Sequence, residues 1–119
     1  MSDTQISTSS TSGIILHNTL HIDPTKIDEY LKHLRPAWKA VCAEPECDFF
    51  EVSTNPQEPG VYRFTEGWNA SLEWLITIQA NKEYYKPYLA ATEPLYIKPR
   101  VLEVFNRESD WSYRKPTAQ

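Results

Sequence analysis

Residues 62–68 read Tyr-Arg-Phe-Thr-Glu-Gly-Trp and run directly into Asn-Ala-Ser-Leu-Glu-Trp-Leu. The alternation of large and small or charged side chains predicts a half-buried strand that begins at Val61 and ends at an indole. Its buried face carries every second residue: Tyr62, Phe64, Glu66 and Trp68. A helix is predicted to begin just after the indole. A large aromatic ring with one polar donor at such a corner suits either core packing or the wall of a pocket for a flat organic molecule.

Length and charge limit what the chain can be. The 119 residues, 40% hydrophobic and 24% charged, suffice for one ordinary core and not for two. The net charge is −4 and the twelve Lys and Arg residues form no block, so neither nucleic acid nor an anionic membrane is expected as a partner. No apolar run approaches the roughly 20 residues that span a bilayer, and residues 1–13 lack the pattern of a signal peptide. We therefore expect a cytoplasmic protein.

The two cysteines do not indicate a metal or redox site. Cys42 and Cys47 are separated by four residues and have no companion Cys or His cluster, which is neither a zinc spacing nor a Cys-x-x-Cys motif. We predict that both are reduced thiols that serve in packing, and no metal is expected.

A second alternating stretch precedes the first helix. Residues 14–22 predict a strand, one face of which carries Ile14, Leu16, Leu20 and Ile22. The other face carries Ile15, His17, Thr19 and His21. Asn18 is the exception, because it places a carboxamide in the middle of the apolar face. Such an amide must be hydrogen-bonded or cost on the order of 1–3 kcal/mol, so it is either satisfied by neighbouring backbone or holds a ligand.

The next segment predicts a helix and a hairpin. Asp23-Pro24 is typical of a helix start, and apolar residues recur with helical period as far as Glu44-Pro45. Pro36 lies inside this run and is expected to kink or split the helix near Arg35. Phe49 to Val52 predict a short strand, which the turn formers of residues 55–60 connect to the strand ending at Trp68.

The last third of the chain predicts a broken helix and a closing strand. The helical region opens at residues 69–71, is interrupted near Asn81 and resumes through residues 84–89. Its first part is expected to bury one stripe, formed by Leu72, Leu75, Ile76 and Gln79. Pro94 and Pro99 bracket a predicted loop, and residues 100–106 alternate as a final strand.

The order of these elements is strand, helix, strand, strand, helix, strand. This βαββαβ order defines an α+β, ferredoxin-like fold with a four-stranded antiparallel sheet and the helices on one face. It divides the chain into a polar, Ser/Thr-rich tail predicted to be disordered (1–12), one domain (13–109) and a C-terminal tail (110–119). The free sheet face is too apolar for water, so we expect it to pair two copies in a homodimer. Its predicted residues are Ile15, His17, Thr19, His21, Val101 and Phe105.

Several segments, taken in their order and spacing, resemble the antibiotic biosynthesis monooxygenase (ABM) domain. They are Glu44-Pro45-Glu46-Cys47 after the first helix, a hairpin turn containing Pro and Gly, the run from Arg63-Phe64 through Glu66-Gly67-Trp68, and Arg100 to Phe105 as closing strand. The resemblance covers residues 14–108. It implies a dimeric α/β barrel in which each monomer carries a pocket between its sheet and its helices.

The resemblance also implies site residues and chemistry. The family's pocket uses an Asn on the first strand and a Trp at the end of the third, and these positions match Asn18 and Trp68. Some members oxidise polycyclic phenols or anthrones to quinones with O2 and neither metal nor flavin. Others degrade haem with a His about ten residues past the Trp, where this chain has Thr77-Ile78-Gln79. Haem iron needs an axial donor, so haem chemistry is disfavoured here, although Tyr84 or Tyr85 could substitute.

We therefore expect an oxygenase of secondary metabolism that uses no cofactor. Asn18 and the Trp68 indole N–H would be catalytic, as donors that stabilise a substrate anion. Glu66 is either a buried base with a raised pKa or the partner of an Arg on the adjacent strand. The other expected pocket residues are Phe64, Trp74, Tyr84, Tyr85 and Tyr88. The alternative is a binder, cyclase or isomerase on the same fold, since fold alone does not fix the reaction.

Overall fold

The computed structural model describes residues 13–117, and the predicted N-terminal tail lies outside them. The strands are β1 (Ile14–Ile22), β2 (Cys47–Thr54), β3 (Val61–Trp68) and β4 (Tyr96–Asn106). The helices are α1 (Ile27–Cys42), α2 (Leu72–Thr77) and α3 (Tyr85–Thr92). Short 3-10 turns lie at Pro24–Lys26, Gln79–Asn81, Glu93–Leu95 and Ser109–Trp111.

The four strands form one antiparallel sheet in the order β2-β3-β1-β4. The predicted α+β, ferredoxin-like fold is therefore confirmed. In the register, Asn18 on β1 lies between Phe64 on β3 and Leu102 on β4. These three residues share the sheet face that the helices cover, which puts the unusual amide of the first strand at the centre of that face.

The core lies between this face and α1. β3 has the predicted bounds, and all four residues of its predicted inner face are buried. They pack with the ends of β1 and with the inner side of α1, whose buried residues are Tyr30, Leu34, Ala37 and Val41. The alternation that predicted this strand thus identified half of the sheet's contribution to the core.

Helix α1 begins after a capped 3-10 turn and is not split. The Asp23 carboxylate accepts hydrogen bonds from the backbone N–H and the hydroxyl of Thr25, at 2.9 and 2.8 Å. The helix then runs without interruption through Pro36, so of the two predicted outcomes the split near Arg35 is wrong, and the kink stays a prediction. Proline removes only the bond that the Lys32 carbonyl would accept. Lys32 and Pro36 are exposed, so water can donate a hydrogen bond to the Lys32 carbonyl instead. The packing of the opposite side of α1 against the sheet stabilises the helix.

The second helical region is shorter than its apolar stripe predicts. Ser71 caps α2 by accepting a bond from the Trp74 N–H at 3.0 Å, and α2 ends at Thr77. Leu75 and Gln79 are buried as predicted, but Leu72 and Ile76 are exposed. Leu75 is the only buried residue of α2, so this short helix buries one position instead of a stripe, and the chain then tightens into a 3-10 turn at Gln79. The predicted interruption near Asn81 is confirmed.

Strand β4 begins four residues earlier than predicted. It therefore contains Pro99, which was predicted to be the last residue of a loop. Its pairing with β1 shifts twice, between Val101 and Lys98 and between Lys98 and Tyr96, and β4 has one residue more than β1 at each shift. The first shift is a bulge at Pro99. Proline is tolerated because β4 is an edge strand and the irregularity leaves the position unpaired. This bulge lies immediately beside Arg100, whose side chain joins that of Leu102 on the helix-covered face.

The opposite sheet face carries the residues predicted for it. Ile15 pairs with Phe105 and Thr19 with Val101, and the His17 and Phe105 rings contact edge-on with centroids 5.6 Å apart. Val101 is 50% and Phe105 52% exposed. Among residues 13–117, no helix has both the length and the apolar character needed to cross a membrane.

Candidate functional site

A cavity of about 180 Å³ lies between the sheet and the helices. Exposed Arg100 and Leu102 form part of its wall, so it opens at the β4 edge. Six of the eight predicted site residues line it: Asn18, Phe64, Glu66, Trp68, Tyr85 and Tyr88. Trp74 and Tyr84 do not. Polar or aromatic lining residues that were not predicted as site residues are Trp38, Phe50, Gln79 and Arg100.

Glu66 and Trp68 are joined by a hydrogen bond. Both are buried, and the indole N–H of Trp68 donates to the Glu66 carboxylate at 2.9 Å. They lie two residues apart on one strand, so their side chains leave the same face of the sheet. Trp74 packs against the Trp68 ring at a centroid distance of 6.1 Å, and thus supports the site from behind its wall.

Burial raises the pKa of Glu66 to about 7, because desolvation disfavours the charged carboxylate. The Trp68 hydrogen bond and the positive charge of Arg100 act in the opposite direction and lower it. The predicted alternative of a pairing with an Arg from the adjacent strand is not what the structure shows. Within residues 13–117, no cation lies within salt-bridge distance of Glu66, and Arg100 is two strands away.

The bond to Glu66 changes what Trp68 can do. An indole has one N–H and no acceptor. Because that N–H is engaged by Glu66, it is not free to hold a substrate oxygen as the sequence-based hypothesis requires. Trp68 instead orients the carboxylate and contributes a flat apolar wall.

Asn18 is buried, and its carboxamide oxygen has no hydrogen-bond partner among the described residues. The alternative in which neighbouring backbone satisfies this oxygen therefore does not hold. A buried acceptor without a partner costs roughly 1–3 kcal/mol. Asn18 lines the cavity, so a molecule bound there can supply the missing donor.

Gln79 is the polar residue that sequence reasoning placed on an apolar stripe without assigning it a role. It is 3% exposed and lines the cavity. Its amide nitrogen donates to the hydroxyls of Tyr84 at 2.8 Å and Tyr85 at 2.9 Å. The Tyr84 hydroxyl in turn donates to Glu44 at 2.7 Å, and Lys82 lies 3.4 Å from the same carboxylate. Tyr84 is therefore connected to the cavity through its hydrogen bond to Gln79. The sequence feature that could have indicated a role for Gln79 is its amide, which lies on a stripe predicted to be buried.

The remaining cavity hydroxyls are donors rather than bases. Desolvation raises the pKa of Tyr85 to about 12, and it also raises the pKa of Tyr88. The Tyr88 hydroxyl is 2.6 Å from that of Tyr30, whose side chain is fully buried. Both cavity phenols therefore stay protonated at neutral pH.

Both cysteines are free thiols, as predicted, but Cys42 is exposed, so its predicted packing role is wrong. Burial raises the pKa of Cys47 to about 11, and its thiol donates weakly to the Phe49 carbonyl at 3.7 Å. A protonated thiol is a poor nucleophile, so this residue serves packing. Among residues 13–117, no three His, Cys, Asp or Glu side chains are grouped closely enough to hold a metal ion. That no metal or cofactor takes part stays a prediction.

Fold and cavity together define an α+β protein with a pocket whose wall contains a buried acid, Glu66. A family model described as "Antibiotic biosynthesis monooxygenase" matches residues 13–73, just over half of the chain. A protein of Pestalotiopsis microspora named "Putative monooxygenase GME11364" is 38% identical over 97 residues, which cover 82% of this chain and 81% of that protein. The chain belongs to the antibiotic biosynthesis monooxygenase family.

Solved structures share the fold at low sequence identity. A crystal structure described as an antibiotic biosynthesis monooxygenase superimposes with a TM-score of 0.72 at 17% identity, covering 80% of this chain and 98% of that one. Rv0793 from Mycobacterium tuberculosis gives 0.71 at 14% identity, covering 83% and 98% respectively. At such identities the likeness concerns the fold alone, so the chemistry has to be argued from the side chains of this cavity.

Proposed function

We propose that the protein is a monooxygenase that oxidises a flat phenolic or anthrone-type substrate with O2, and that Glu66 is its general base. The observation that carries this proposal is a buried carboxyl group, with a pKa of about 7, in the wall of an apolar cavity. A general base works best when its pKa lies near the working pH. Glu66 is also the only carboxyl group among the described residues of the cavity wall.

The reaction balances without a further reductant. Glu66 removes a proton from the activated CH2 group of an anthrone, and the carbanion passes electrons to O2 to form a carbon-bound peroxide. Proton return gives the hydroperoxide; loss of the second C–H proton then breaks the O–O bond and leaves a C=O group and water. The carbon loses four electrons and O2 gains four. The residues have only to move protons and stabilise negative charge.

Two residues of the cavity wall can stabilise the negative charge of the substrate anion. The carbanion of an anthrone is delocalised onto its ketone oxygen, so negative charge develops there. Arg100 and the amide N–H groups of Asn18 are donors in the same cavity wall and can stabilise it, as preorganised donors do in other enzymes. Trp68 keeps the Glu66 carboxylate in place.

The size of the cavity supports a flat ligand that is only partly enclosed. An apolar cavity of about 150 Å³ binds benzene. The cavity of about 180 Å³ is little larger. One or two fused rings would therefore be enclosed, and the rest of a polycyclic substrate would extend through the opening at β4.

Oxygen uptake tests the proposal. With an anthrone such as 1,8-dihydroxyanthrone, the wild-type protein should consume one O2 per quinone formed and release no H2O2. Glu66→Gln keeps the shape and an acceptor for the indole N–H but cannot take a proton, so turnover should fall by about 10²–10⁴-fold. The matched control is Glu51→Gln on the exposed side of β2, which should leave the rate unchanged. Equal rates for wild-type and Glu66→Gln protein would contradict the role of Glu66.

The alternative of an isomerase or cyclase keeps the same residue at its centre. A carboxyl group with a pKa of about 7 can take a proton from one carbon and return it to another. Incubating the substrate without O2 separates the two functions. Conversion of the substrate under strictly anaerobic conditions would replace the oxygenase proposal, and retention of unchanged ligand would indicate a binder.

We also propose that two copies pair through the free sheet face. The supporting observation is its exposed apolar strip at β4, where Val101 and Phe105 lie beside the half-buried His17. Covering such a strip with a second sheet removes apolar area from water on both copies.

A further inference from the structure

We propose that the Gln79 carboxamide oxygen is the specificity determinant of the cavity and accepts a hydrogen bond from a hydroxyl group of the ligand. The proposal rests on the proposed function only in its choice of ligand class, a flat phenol. Its own basis is one buried amide and the groups that orient it.

The orientation of the Gln79 amide is set by Tyr84. The Tyr84 hydroxyl lies 2.7 Å from the Glu44 carboxylate, which accepts but cannot donate, so the hydroxyl proton points at Glu44. That hydroxyl can then only accept from Gln79, 2.8 Å away. The group of Gln79 that faces it must be the NH2, which also reaches the Tyr85 hydroxyl at 2.9 Å. Both amide hydrogens are therefore committed.

The other end of the amide is a buried acceptor with nothing to accept. No described residue makes a hydrogen bond to the Gln79 carboxamide oxygen, and Gln79, which lines the cavity, is only 3% exposed. An orphaned acceptor of this kind costs roughly 1–3 kcal/mol. A ligand hydroxyl in the cavity would remove that cost, whereas a carbonyl or ether oxygen there would face another acceptor.

Asn18 is the useful contrast. Its carboxamide oxygen has no hydrogen-bond partner among the described residues, so no bond at that end fixes the orientation of the amide. It can meet either a donor or an acceptor by rotation about its last bond. Gln79 cannot, because rotation would break two bonds and oppose the Tyr84 oxygen with its own. Discrimination between hydroxyl and ether ligands therefore falls on Gln79.

Binding of a matched ligand pair tests the inference without turnover. 2-Naphthol and 2-methoxynaphthalene differ at one oxygen and lack a CH2 group that the proposed reaction could oxidise. By calorimetric titration, the wild-type protein should bind the naphthol about tenfold more tightly than the ether, since an acceptor left unsatisfied costs more than 1 kcal/mol.

Three variants assign that difference to a residue. Gln79→Leu should bring the two dissociation constants within about twofold of each other. Tyr84→Phe frees the amide to turn its NH2 into the cavity, so the preference should shrink or reverse in favour of the ether. Asn18→Leu should keep the preference. The surface controls Gln57→Leu and Tyr113→Phe should bind both ligands as the wild type does.

The outcomes separate this inference from the proposed oxygenase. Equal affinities in the wild type, binding of neither probe, or a preference that survives Gln79→Leu in protein with a wild-type thermal unfolding profile, would overturn the role of Gln79. A preference lost in Asn18→Leu alone would do the same. Oxygen uptake with an anthrone is measured independently, so it can succeed when the naphthol preference fails and fail when it succeeds.

Discussion

At the scale of single residues, the burial of Glu66 lowers the stability of the fold when its carboxyl group is ionised. It is buried, and among residues 13–117 its one hydrogen bond comes from Trp68. Its pKa rises from the ordinary value of 4.5 to about 7 through desolvation. A residue that weakens its own fold in this way is typical of a functional site.

The free energy of unfolding should therefore depend on pH through this group. Below pH 4.5 both folded and unfolded chains carry the neutral acid, and the stability is fully present. As pH rises from 4.5 to about 7, the unfolded chain ionises first, so stability falls by on the order of 3 kcal/mol and then stays constant. Urea unfolding of wild-type and Glu66→Gln protein across pH 4–9 measures this. Parallel curves for the two proteins would contradict the raised pKa.

The rate of the proposed reaction should rise with pH, whereas the free energy of unfolding falls. The base must be ionised, so kcat/KM should rise with pH and level off above about 7. Trp68→Phe removes the N–H that stabilises the carboxylate and should shift the half-maximal pH upward, leaving activity at high pH. Trp74→Phe is the control, because Trp74 contacts the Trp68 ring and not Glu66. An unchanged profile in Trp68→Phe would show that the hydrogen bond does not tune the base.

Sequence patterns predicted which residues meet at the site better than what they do there. Period-two alternation put Glu66 and Trp68 on one face, and the amide of Asn18 was conspicuous on an apolar strand. The bond between Glu66 and Trp68 was not predictable, because it depends on side-chain rotamers that the alternation does not specify. The inward direction of Gln79 was predicted from the helical stripe, but its hydrogen bonds to Tyr84 and Tyr85 were not, because they too depend on side-chain rotamers.

At the scale of elements, α1 contains Pro36 at an interior position, where proline usually kinks or breaks a helix. Pro36→Ala should raise the free energy of unfolding by about 1–2 kcal/mol. The substitution restores an i to i−4 bond and removes a proline penalty of about 3 kcal/mol, offset in part by greater freedom of the unfolded chain. Urea unfolding measures the gain.

Pro59→Ala is the control for that substitution, since Pro59 is exposed in the β2–β3 turn and outside any helix. It should give no gain. A Pro36→Ala protein no more stable than the wild type would mean that α1 is locally bent to suit the proline, as kinked helices are.

The β4 bulge is the element-scale feature that sequence could not supply. Two prolines predicted a loop up to residue 99, whereas the strand continues through Pro99 as an edge strand with two register shifts against β1. Propensity alone cannot tell an edge strand from a central one. The position of Arg100 over the cavity follows from that register, which explains why it was missed as a site residue.

At the scale of the whole molecule, the order of elements was enough to predict the fold. Two alternating strands, one long amphipathic helix and a hairpin leave few topologies that connect without crossing. The sheet order β2-β3-β1-β4 is the one expected. The assembly is a different matter, because a single chain shows an exposed face and not what covers it.

Phe105→Glu should therefore test the proposed dimer. A charge in the middle of the apolar strip would have to be desolvated on pairing, so the protein should elute and scatter light as a monomer while keeping its fold. Ile76→Glu is the control, since Ile76 is 60% exposed on α2, away from the sheet face. A wild-type protein that is monomeric at micromolar concentration would contradict the dimer directly.

The hydrogen bond between Trp68 and Glu66 also makes the site optically readable. Indole emission responds to the charge of a group bonded to its N–H, so the fluorescence of Trp68 should change as Glu66 ionises. The other three tryptophans, which include the 89% exposed Trp111, provide a background that Trp68→Phe subtracts. The protonation state of the proposed base could thus be followed in real time, without label, as ligand enters the cavity.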